Sequence, residues 1–324
     1  MKTLIKLALV GASLAVAQGA WAQEKWDLPT GYGASAFLTE NVNHFAKDVE
    51  EATNGKLKIT VHPNGSLYKV NEIKRAVQTG QVQLGEFILS GSSNENAIFG
   101  VDSVPFLATN YADAKKLADA SRQATEELLE SQGMKVLFMA PWPGQSLFSN
   151  KEIKTAKDLS GTKMRTYNPS SSRVAELLHA QPVTIQLAEL GQALATGAVD
   201  NFLTSSASGI ENKLYEQVDY LYVVNAWLPK NAVIVNKKYF DKLDKPIQDA
   251  LVRAGADAET RGWKVSEAMS ASYLKELTEN GMQVSEPSRQ LKDELSAVGA
   301  TMTEEWLKSA GPTGKAIIEA YKAK

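Results

Sequence analysis

Cysteine is absent from the 324-residue chain, and histidine occurs only three times, as His44, His62 and His179. The missing cysteine excludes thiol nucleophiles, thiolate metal sites and disulfide bonds. The three histidines lie far apart in sequence, so we expect no metal site. Positive charge is not in excess either, since the chain has 35 lysines and arginines and 37 aspartates and glutamates. Nucleic-acid binders usually show a basic excess or a basic stripe. We therefore expect no nucleic acid among the partners.

Long hydrophobic runs are scarce, and the clearest one lies at the N-terminus. Lys2 and Lys6 precede or flank an apolar stretch over residues 7–20, which leads into the small-x-small sequence Ala20-Trp21-Ala22. This pattern predicts a signal peptide over residues 1–22, cleaved after Ala22. The alternative is a membrane anchor, but a spanning helix needs about 20 apolar residues and this run is shorter.

The predicted export of the protein limits the cofactors that it can use. No later run is long and apolar enough for a membrane span, so we expect an exported protein in the periplasm without direct membrane insertion. ATP and nicotinamide cofactors are not normally available in that compartment. We therefore expect no cofactor.

Helix-period and strand-period segments alternate along the chain, which predicts an α/β protein with mostly parallel sheets covered by helices. The pattern restarts after Pro141-Trp142-Pro143-Gly144, which predicts two such units. The predicted strands are 26–29, 56–61, 82–89, 134–140, 162–166, 183–185 and 198–203. The predicted helices are 37–52, 70–79, 111–131, 170–178 and 187–195.

The C-terminal third has a different hydrophobic pattern, without the alternation of strands and helices. Residues 246–280 carry a nearly continuous apolar stripe, with Gly255 and Gly262 as the internal glycines. A single helix of this length would be about 50 Å long and would lie across both units. The alternative is two helices broken at Gly262. We assign residues 23–142 plus about 231–270 to lobe I, and residues 143–230 plus about 271–324 to lobe II.

Two sequence features mark a candidate site. Gly31-Tyr32-Gly33-Ala34-Ser35-Ala36 matches the dinucleotide pattern G-x-G-x-x-A, but the following strand ends at His62-Pro63-Asn64 without the acidic residue that would bind the ribose. A tight turn at a ligand-binding crevice is the preferred interpretation. Arg165 is either an exposed strand arginine or a ligand-binding residue. Its position at the C-terminal end of a strand, where open α/β sheets bind ligands, favours the second.

Several segments resemble, in the same order, those of one family: the substrate-binding proteins of tripartite ATP-independent periplasmic (TRAP) transporters, of the DctP type. The most specific is DLSGTKMR at residues 158–165. The others are FAKDVEEATNGK (45–56), HPNGSL (62–67), AVQTG (76–80), VPFL (104–107) and ALATGAVD (193–200). The resemblance implies a two-lobed periplasmic binding protein fold, braced by a long C-terminal helix that spans both lobes. It also implies a non-enzymatic protein that delivers an organic acid to membrane permease subunits driven by an ion gradient.

The resemblance also implies roles for individual residues. Arg165 would clamp the ligand carboxylate, because its planar fork can donate two parallel hydrogen bonds. Tyr32, Ser90, Asn168, Thr204 and Asn231 would lie near the ligand. Gln145 replaces the second arginine of members that bind sialic acid, and Thr204 replaces an asparagine. The carboxylate and tryptophan of metal-using members have no counterpart here. Independently of the resemblance, four aromatic residues sit at predicted strand ends and crossings, where they either pack in the core or line a cleft: Trp142, Phe148, Tyr167 and Trp227. Trp142, Tyr167 and Trp227 complete the predicted ligand-binding set.

One cationic clamp with hydroxyl, amide and aromatic neighbours predicts a monocarboxylate, with an aromatic or hydroxy acid as candidates. The lobes are expected to close around it by rotation at hinges near residues 141–144 and 225–231. Two other classes stay open: a secreted hydrolase with an unrecognised carboxylate-based site, and an extracellular adhesin or structural protein.

Overall fold

The computed structural model describes residues 23–324, so the predicted signal peptide and its cleavage site lie outside the described residues. The strands are β1 (Glu24–Pro29), β2 (Leu57–His62), β3 (Leu84–Ile88), β4 (Met134–Pro141), β5 (Gln145–Ser149), β6 (Lys163–Thr166), β7 (Gln181–Thr184), β8 (Asn201–Ser205), β9 (Tyr220–Tyr222), β10 (Lys230–Asn236) and β11 (Gln283–Ser285). The helices are α1 (Phe37–Ala52), α2 (Val70–Gln78), α3 (Tyr111–Ser131), α4 (Pro169–Leu177), α5 (Leu187–Ala195), α6 (Ser206–Glu211), α7 (Lys237–Lys242), α8 (Lys245–Glu279) and α9 (Arg289–Lys322).

The strands form the sheets of two lobes. In lobe I, β1 pairs with β2 in parallel, and β10 lies between β3 and β4, antiparallel to both. In lobe II, six strands are ordered β11-β9-β5-β8-β6-β7, and β5 is antiparallel to its neighbours β8 and β9. Among residues 23–324, lobe I has one parallel and two antiparallel strand pairs, and lobe II has three parallel and two antiparallel pairs. The predicted α/β fold with two lobes is confirmed, whereas the expected mostly parallel pairing holds in lobe II only.

The reversed strands are the ones that follow a crossing between lobes. The chain leaves lobe I at the end of β4 and enters lobe II as β5; it returns to lobe I as β10 after β9. The two crossing segments are hydrogen-bonded to each other, with Trp142 N donating to Pro229 O and Gln145 N donating to Trp227 O, each at 2.8 Å. They form a short two-stranded connection at the floor of the cleft.

Helix α8 is continuous through Gly262, so the alternative of two helices broken there is wrong. A Cβ atom on Gly262 would lie 2.7 Å from the Cβ of Ala140 on β4 and 2.9 Å from Nδ2 of Asn41 on α1. The glycine therefore lets α8 pack closely against lobe I. Leu251 of α8 lies in the core of lobe I, and Leu277 near its other end lies in a core of lobe II. The helix braces both lobes, as predicted.

Helix α9 also contacts both lobes, but it does so across a kink. Gly311 has non-helical backbone angles and is followed by Pro312, which interrupts the helix. Before the kink, Leu291 and Leu295 pack into the core of lobe II. The part around and after the kink packs beside α3, through Trp306, Ile317 and Ile318. The lobe boundaries stated above stay predictions.

Some predicted boundaries shift in the structure. The strand expected at 198–203 begins only at Asn201 as β8, because Gly197 adopts a φ of 67° and Ala198 N donates to Ala193 O, which closes α5. The strand expected at 183–185 is β7, which starts earlier, at Gln181. Among residues 23–324, no helix combines the length and hydrophobicity of a membrane span.

Candidate ligand-binding site

A cavity of about 170 Å³ lies between the lobes. This volume is below the roughly 300–1,000 Å³ of pockets that hold drug-sized ligands, so the space suits a small molecule. Lobe II contributes the carboxyl ends of β6 and β8 and the first turn of α5. This placement follows the rule that open α/β sheets bind ligands beyond the carboxyl ends of their strands. The residues that line the cavity are Gly31, Tyr32, Asn64, Gly65, Lys69, Val70, Ile88, Trp142, Gln145, Arg165, Tyr167, Gln186, Leu187, Ala188, Glu189, Thr204, Ser208 and Pro229.

Arg165 is the buried cation of this cavity. Its side chain is buried, with 3% of the residue surface exposed, and its Nε donates to the carbonyl oxygen of Ile185 at 2.8 Å. Among residues 23–324, no carboxylate forms an ion pair with it. Burial lowers its pKa to about 10, which still leaves the guanidinium protonated at neutral pH. A buried charge without a counterion is costly. The site is therefore prepared for an anion.

The Tyr167 ring contacts Arg165, and the Tyr167 hydroxyl is hydrogen-bonded to two neighbouring side chains. The guanidinium carbon of Arg165 lies 4.8 Å from the centre of the Tyr167 ring, in cation–π contact. The Tyr167 hydroxyl accepts a hydrogen bond from Nε1 of Trp227 at 3.1 Å and donates to Oε1 of Gln145 at 3.3 Å. Burial raises the pKa of Tyr167, so its hydroxyl is neutral and acts as a donor. These hydrogen bonds join the lobe II wall of the cavity to the two segments that cross between the lobes.

The facing wall in lobe I is aromatic. The rings of Tyr32 and Trp142 meet edge to face with their centres 5.0 Å apart. Nε1 of Trp142 donates to Oδ1 of Asn231 at 3.0 Å, and the Tyr32 hydroxyl donates to the same oxygen at 3.4 Å. Burial raises the pKa of Tyr32 and keeps it neutral. Asn231 thus positions both rings from outside the cavity.

The lobes also contact each other directly. Nδ2 of Asn168 in lobe II donates to Oγ of Ser90 in lobe I at 2.8 Å, and both side chains are buried. On another element, Oε1 of Glu211 on α6 accepts the backbone N–H of Phe37, the first residue of α1, at 2.9 Å. The structure therefore shows the two lobes in direct contact through these two hydrogen bonds.

The predicted site residues separate into two groups. Those that line the cavity are Arg165, Gln145, Tyr32, Trp142, Tyr167 and Thr204. Those that lie outside the lining, and bond to lining residues or across the lobes, are Ser90, Asn168, Trp227 and Asn231. Their contact with a ligand stays a prediction. Among residues 23–324, no three acidic or histidine side chains are grouped so as to hold a metal ion.

Sequence reasoning missed the first turn of α5, where Gln186, Leu187, Ala188 and Glu189 line the cavity. It also missed Lys69 at the start of α2, whose Nζ lies 4.0 Å from Glu189 across the cavity mouth. A usable signal was present, because the predicted helix at 187–195 follows a predicted strand directly. Helices that start at the carboxyl ends of such strands point their first turn at the crevice.

Comparison with known proteins identifies the family. The family model of bacterial extracellular solute-binding protein family 7, DctP, matches residues 31–309. This chain belongs to that family. Its members are exported solute-binding proteins of TRAP transporters, so the resemblance found in the sequence is confirmed. A curated family member, the C4-dicarboxylate-binding periplasmic protein DctP of Rhodobacter capsulatus, is 29% identical over 245 residues, covering 72% of this chain and 68% of its own.

Two solved family structures are more similar. DctP6 of Bordetella pertussis, an extracytoplasmic solute receptor that binds pyroglutamic acid, is 49% identical with a TM-score of 0.91, covering 93% of this chain and 100% of its own. A marine metagenome TRAP solute-binding protein specific for pyroglutamate is 40% identical with a TM-score of 0.92, covering 93% of this chain and 99% of its own. These relatives are receptors for organic acids rather than enzymes.

Proposed function

We propose that this protein captures pyroglutamate, or a closely similar cyclic monocarboxylate, between its lobes and delivers it to the membrane permease of a TRAP transporter. The observation that carries the proposal is Arg165, a buried cation without a carboxylate partner among residues 23–324, which faces a cavity of about 170 Å³. A single unpaired cation suits a ligand with a single negative charge.

The remaining lining suits a compact ring with polar groups. Ile88, Val70, Leu187 and Pro229 offer apolar surface for ring methylenes. Gln145 and Thr204 offer an amide and a hydroxyl, which can pair with the N–H and C=O of a lactam. Two solved relatives at 49% and 40% identity bind pyroglutamate, which supports the same ligand here. The proposal thereby narrows the sequence-based expectation from a monocarboxylate in general to pyroglutamate or a closely similar cyclic acid.

The proposal is tested with the mature protein. Protein purified from cells is denatured, and the released small molecules are analysed by mass spectrometry. Ligand-free protein is then titrated calorimetrically with pyroglutamate, proline, glutamate and succinate. We expect pyroglutamate to bind most tightly and to raise the unfolding midpoint, because a ligand that binds only the native state stabilises it. Proline, which carries a charged ring nitrogen in place of the lactam, is expected to bind at least tenfold more weakly.

The same titration separates the alternatives. Recovery of unchanged pyroglutamate after long incubation supports a receptor, whereas a product that persists through further purification would support the secreted hydrolase. Tighter binding of succinate than of pyroglutamate would overturn the proposed ligand. A protein that none of these acids stabilises would point to the adhesin or structural class.

Delivery to the permease is proposed on the same basis. The receptor is expected to bind its membrane partner in the ligand-bound, closed form. Uptake of labelled pyroglutamate into vesicles that contain the matching permease subunits should require both this protein and an ion gradient. Uptake that proceeds equally well without the protein would contradict this role.

A further inference from the structure

Glu86 is a buried carboxylate whose role the proposed function does not explain. It lies on β3 with 2% of its surface exposed, and it forms no ion pair with any residue of 23–324. Its Oε2 accepts a hydrogen bond from Oγ1 of Thr30 at 2.5 Å, and its Oε1 accepts one from Nδ2 of Asn231 at 3.1 Å. An unpaired carboxylate in such a place is costly to retain.

The surrounding donors fix Glu86 as an acceptor. The indole Nε1 of Trp142 can only donate, so the atom of Asn231 that faces it must be the carboxamide oxygen. The carboxamide nitrogen of Asn231 then points at Glu86 and donates to it. Thr30 Oγ1 accepts from the backbone N–H of Tyr32, which leaves its own proton for Glu86. Both oxygens of Glu86 therefore accept. Burial raises the pKa of Glu86, and the hydrogen bonds from Thr30 and Asn231 lower it; because both neighbours donate to it, we take Glu86 as the carboxylate.

Glu86 lies immediately behind the lobe I wall of the cavity. Ile88, two residues further along β3, lines the cavity, and side chains two residues apart on a strand share a face. Trp142, another lining residue, is linked to Glu86 through Asn231. Arg165 lies on lobe II. Arg165 and Glu86, two buried charged groups without an ion-pair partner among residues 23–324, thus lie on opposite lobes, with the cavity between them.

We propose that Glu86 is a specificity-determining residue, whose buried negative charge restricts the ligand to acids whose end opposite the bound carboxylate is uncharged. The proposal rests on the proposed function, because it takes Arg165 as the carboxylate-binding end. A second carboxylate on the ligand would have to approach the lobe I wall. At a separation of about 8 Å and an effective dielectric constant near 20, repulsion from Glu86 would weaken binding roughly thirtyfold.

The wild-type protein itself provides the first test. Glutarate and glutaramate share a carbon skeleton and differ in that one terminal carboxylate is replaced by an amide. We expect the wild type to bind glutaramate at least tenfold more tightly than glutarate in calorimetric titrations. Raising the salt concentration should change this ratio little, because buried charges are weakly screened.

The second test is Glu86→Gln, which removes the charge and keeps the shape. The amide oxygen of the new side chain can still accept from Asn231, so the position of Trp142 is retained. We expect the glutarate-to-glutaramate ratio of dissociation constants to fall about tenfold or more, mainly through tighter glutarate binding. Glu127→Gln on the exposed face of α3 is the matched control and should leave the ratio unchanged. If Glu86→Gln does not fold, the comparison of glutarate and glutaramate binding to the wild type still tests the proposal.

The outcomes are distinct from those of the proposed function. Equal affinities of the wild type for glutarate and glutaramate, with pyroglutamate bound normally, would overturn the role of Glu86 alone. Failure to bind pyroglutamate, with glutaramate still preferred over glutarate, would overturn the proposed ligand and support the role of Glu86. An unchanged ratio in a folded Glu86→Gln variant would show that another group sets the preference, and the proposal would be wrong.

Discussion

Gly144 lies so close to Asn225 that a Cβ atom on it would be 2.2 Å from Oδ1 of Asn225 and 2.8 Å from its Cγ. The two residues belong to the two segments that cross between the lobes, and the adjacent Gln145 and Ala226 are joined by a backbone hydrogen bond of 2.8 Å. Asn225 adopts a positive φ of 44°. The crossing segments therefore form one tightly packed unit, at the place where the sequence predicts a hinge.

Gly144→Ala is expected to destabilise the protein and to weaken ligand binding, because the new methyl group overlaps the Asn225 side chain. Overpacking of this kind costs roughly 1–3 kcal/mol. Asn225→Gly removes the obstructing side chain and suits the positive φ, so the double variant should recover most of the loss. Thermal unfolding and calorimetric titration of the single and double variants measure both effects.

Gly191→Ala is the control for this cycle, because no neighbouring atom lies within 4 Å of the added Cβ in the middle of α5. It should leave stability unchanged or raise it by up to about 1 kcal/mol. A Gly144→Ala variant as stable as the wild type would contradict the tight packing of Gly144 against Asn225.

Arg165→Ala is expected to weaken binding of the identified acid by about a hundred- to several-thousandfold. Removing one partner of a buried charge pair costs roughly 3–5 kcal/mol, and each 1.4 kcal/mol corresponds to about a factor of ten. Arg165→Lys should recover only part of the affinity, because an ammonium lacks the planar fork. Calorimetric titration measures both dissociation constants.

The ligand-free stability of Arg165→Ala should change little, since the variant removes a buried charge that has no carboxylate partner among residues 23–324. Arg173→Ala on α4 is the control: its guanidinium is exposed and pairs with Glu305 and Glu176, so affinity should be unaffected. A loss below about threefold for Arg165→Ala would remove Arg165 from the binding site.

Ser90→Ala tests the direct contact between the lobes. The variant leaves Nδ2 of Asn168 buried without its partner, and a hydrogen bond of this kind contributes about 0.5–1.5 kcal/mol. Because the bond joins the two lobes, its loss should penalise closure, and affinity should fall about two- to tenfold. Small-angle scattering at subsaturating ligand should show a smaller closed fraction.

The control for this variant is Ser172→Ala on α4, where the hydroxyl bonds to the backbone oxygen of Asn168 without crossing between lobes. It should bind ligand as the wild type does. Equal loss of affinity in both variants would attribute the effect to α4 rather than to the contact between lobes.

Glu211 gives the protein a pH-dependent contribution to stability. The pKa of Glu211 is raised to about 7, mainly by burial; the N–H of Phe37 lowers it, and the nearby Glu40 and Glu86 raise it by smaller amounts. Between about pH 4.5 and 7 the folded state therefore binds more protons at Glu211 than the unfolded state does. Stability consequently falls as pH rises through this window.

Glu211→Gln removes this dependence. The free energy of unfolding of the wild type, relative to the variant, should decline by on the order of 1–3 kcal/mol from pH 4.5 to 7. Urea unfolding at several pH values measures the difference, with Glu216→Gln on the exposed surface as the control. A constant difference across this range would contradict the shifted pKa.

The elements that the sequence predicts well are those whose pattern is local. Helix α3 spans Tyr111–Ser131 and α5 spans Leu187–Ala195, both at the predicted bounds, because apolar spacing and flanking turn residues define them. Strands β5 and β10 were missed. Every residue of each is buried, so neither shows the alternation that marks a strand. Their pairing depends on segments far away in the sequence.

In the candidate site too, features set by the local sequence are predicted and features set by distant segments are not. Arg165 was found because its strand end and its residue type are visible locally. The bond of Asn231 to Trp142 spans 89 residues, and that of Asn231 to Glu86 spans 145. Such relationships arise only when the crossing strands bring the segments together. The sequence therefore indicates Arg165 as the candidate residue for binding a charged ligand, but it does not indicate which residues are hydrogen-bonded behind the cavity wall.

The position of β10 has a consequence for the order in which the protein can fold. This strand lies between β3 and β4, yet it begins only at Lys230, after the sheet-forming segments β5 to β9. A chain ending before Lys230 would leave β3 and β4 each with an unpaired edge facing the missing strand, and unpaired edges promote association with other chains. Lobe I therefore cannot mature as an independent N-terminal unit. The assembly of its sheet must wait for a segment that is synthesised after most of lobe II.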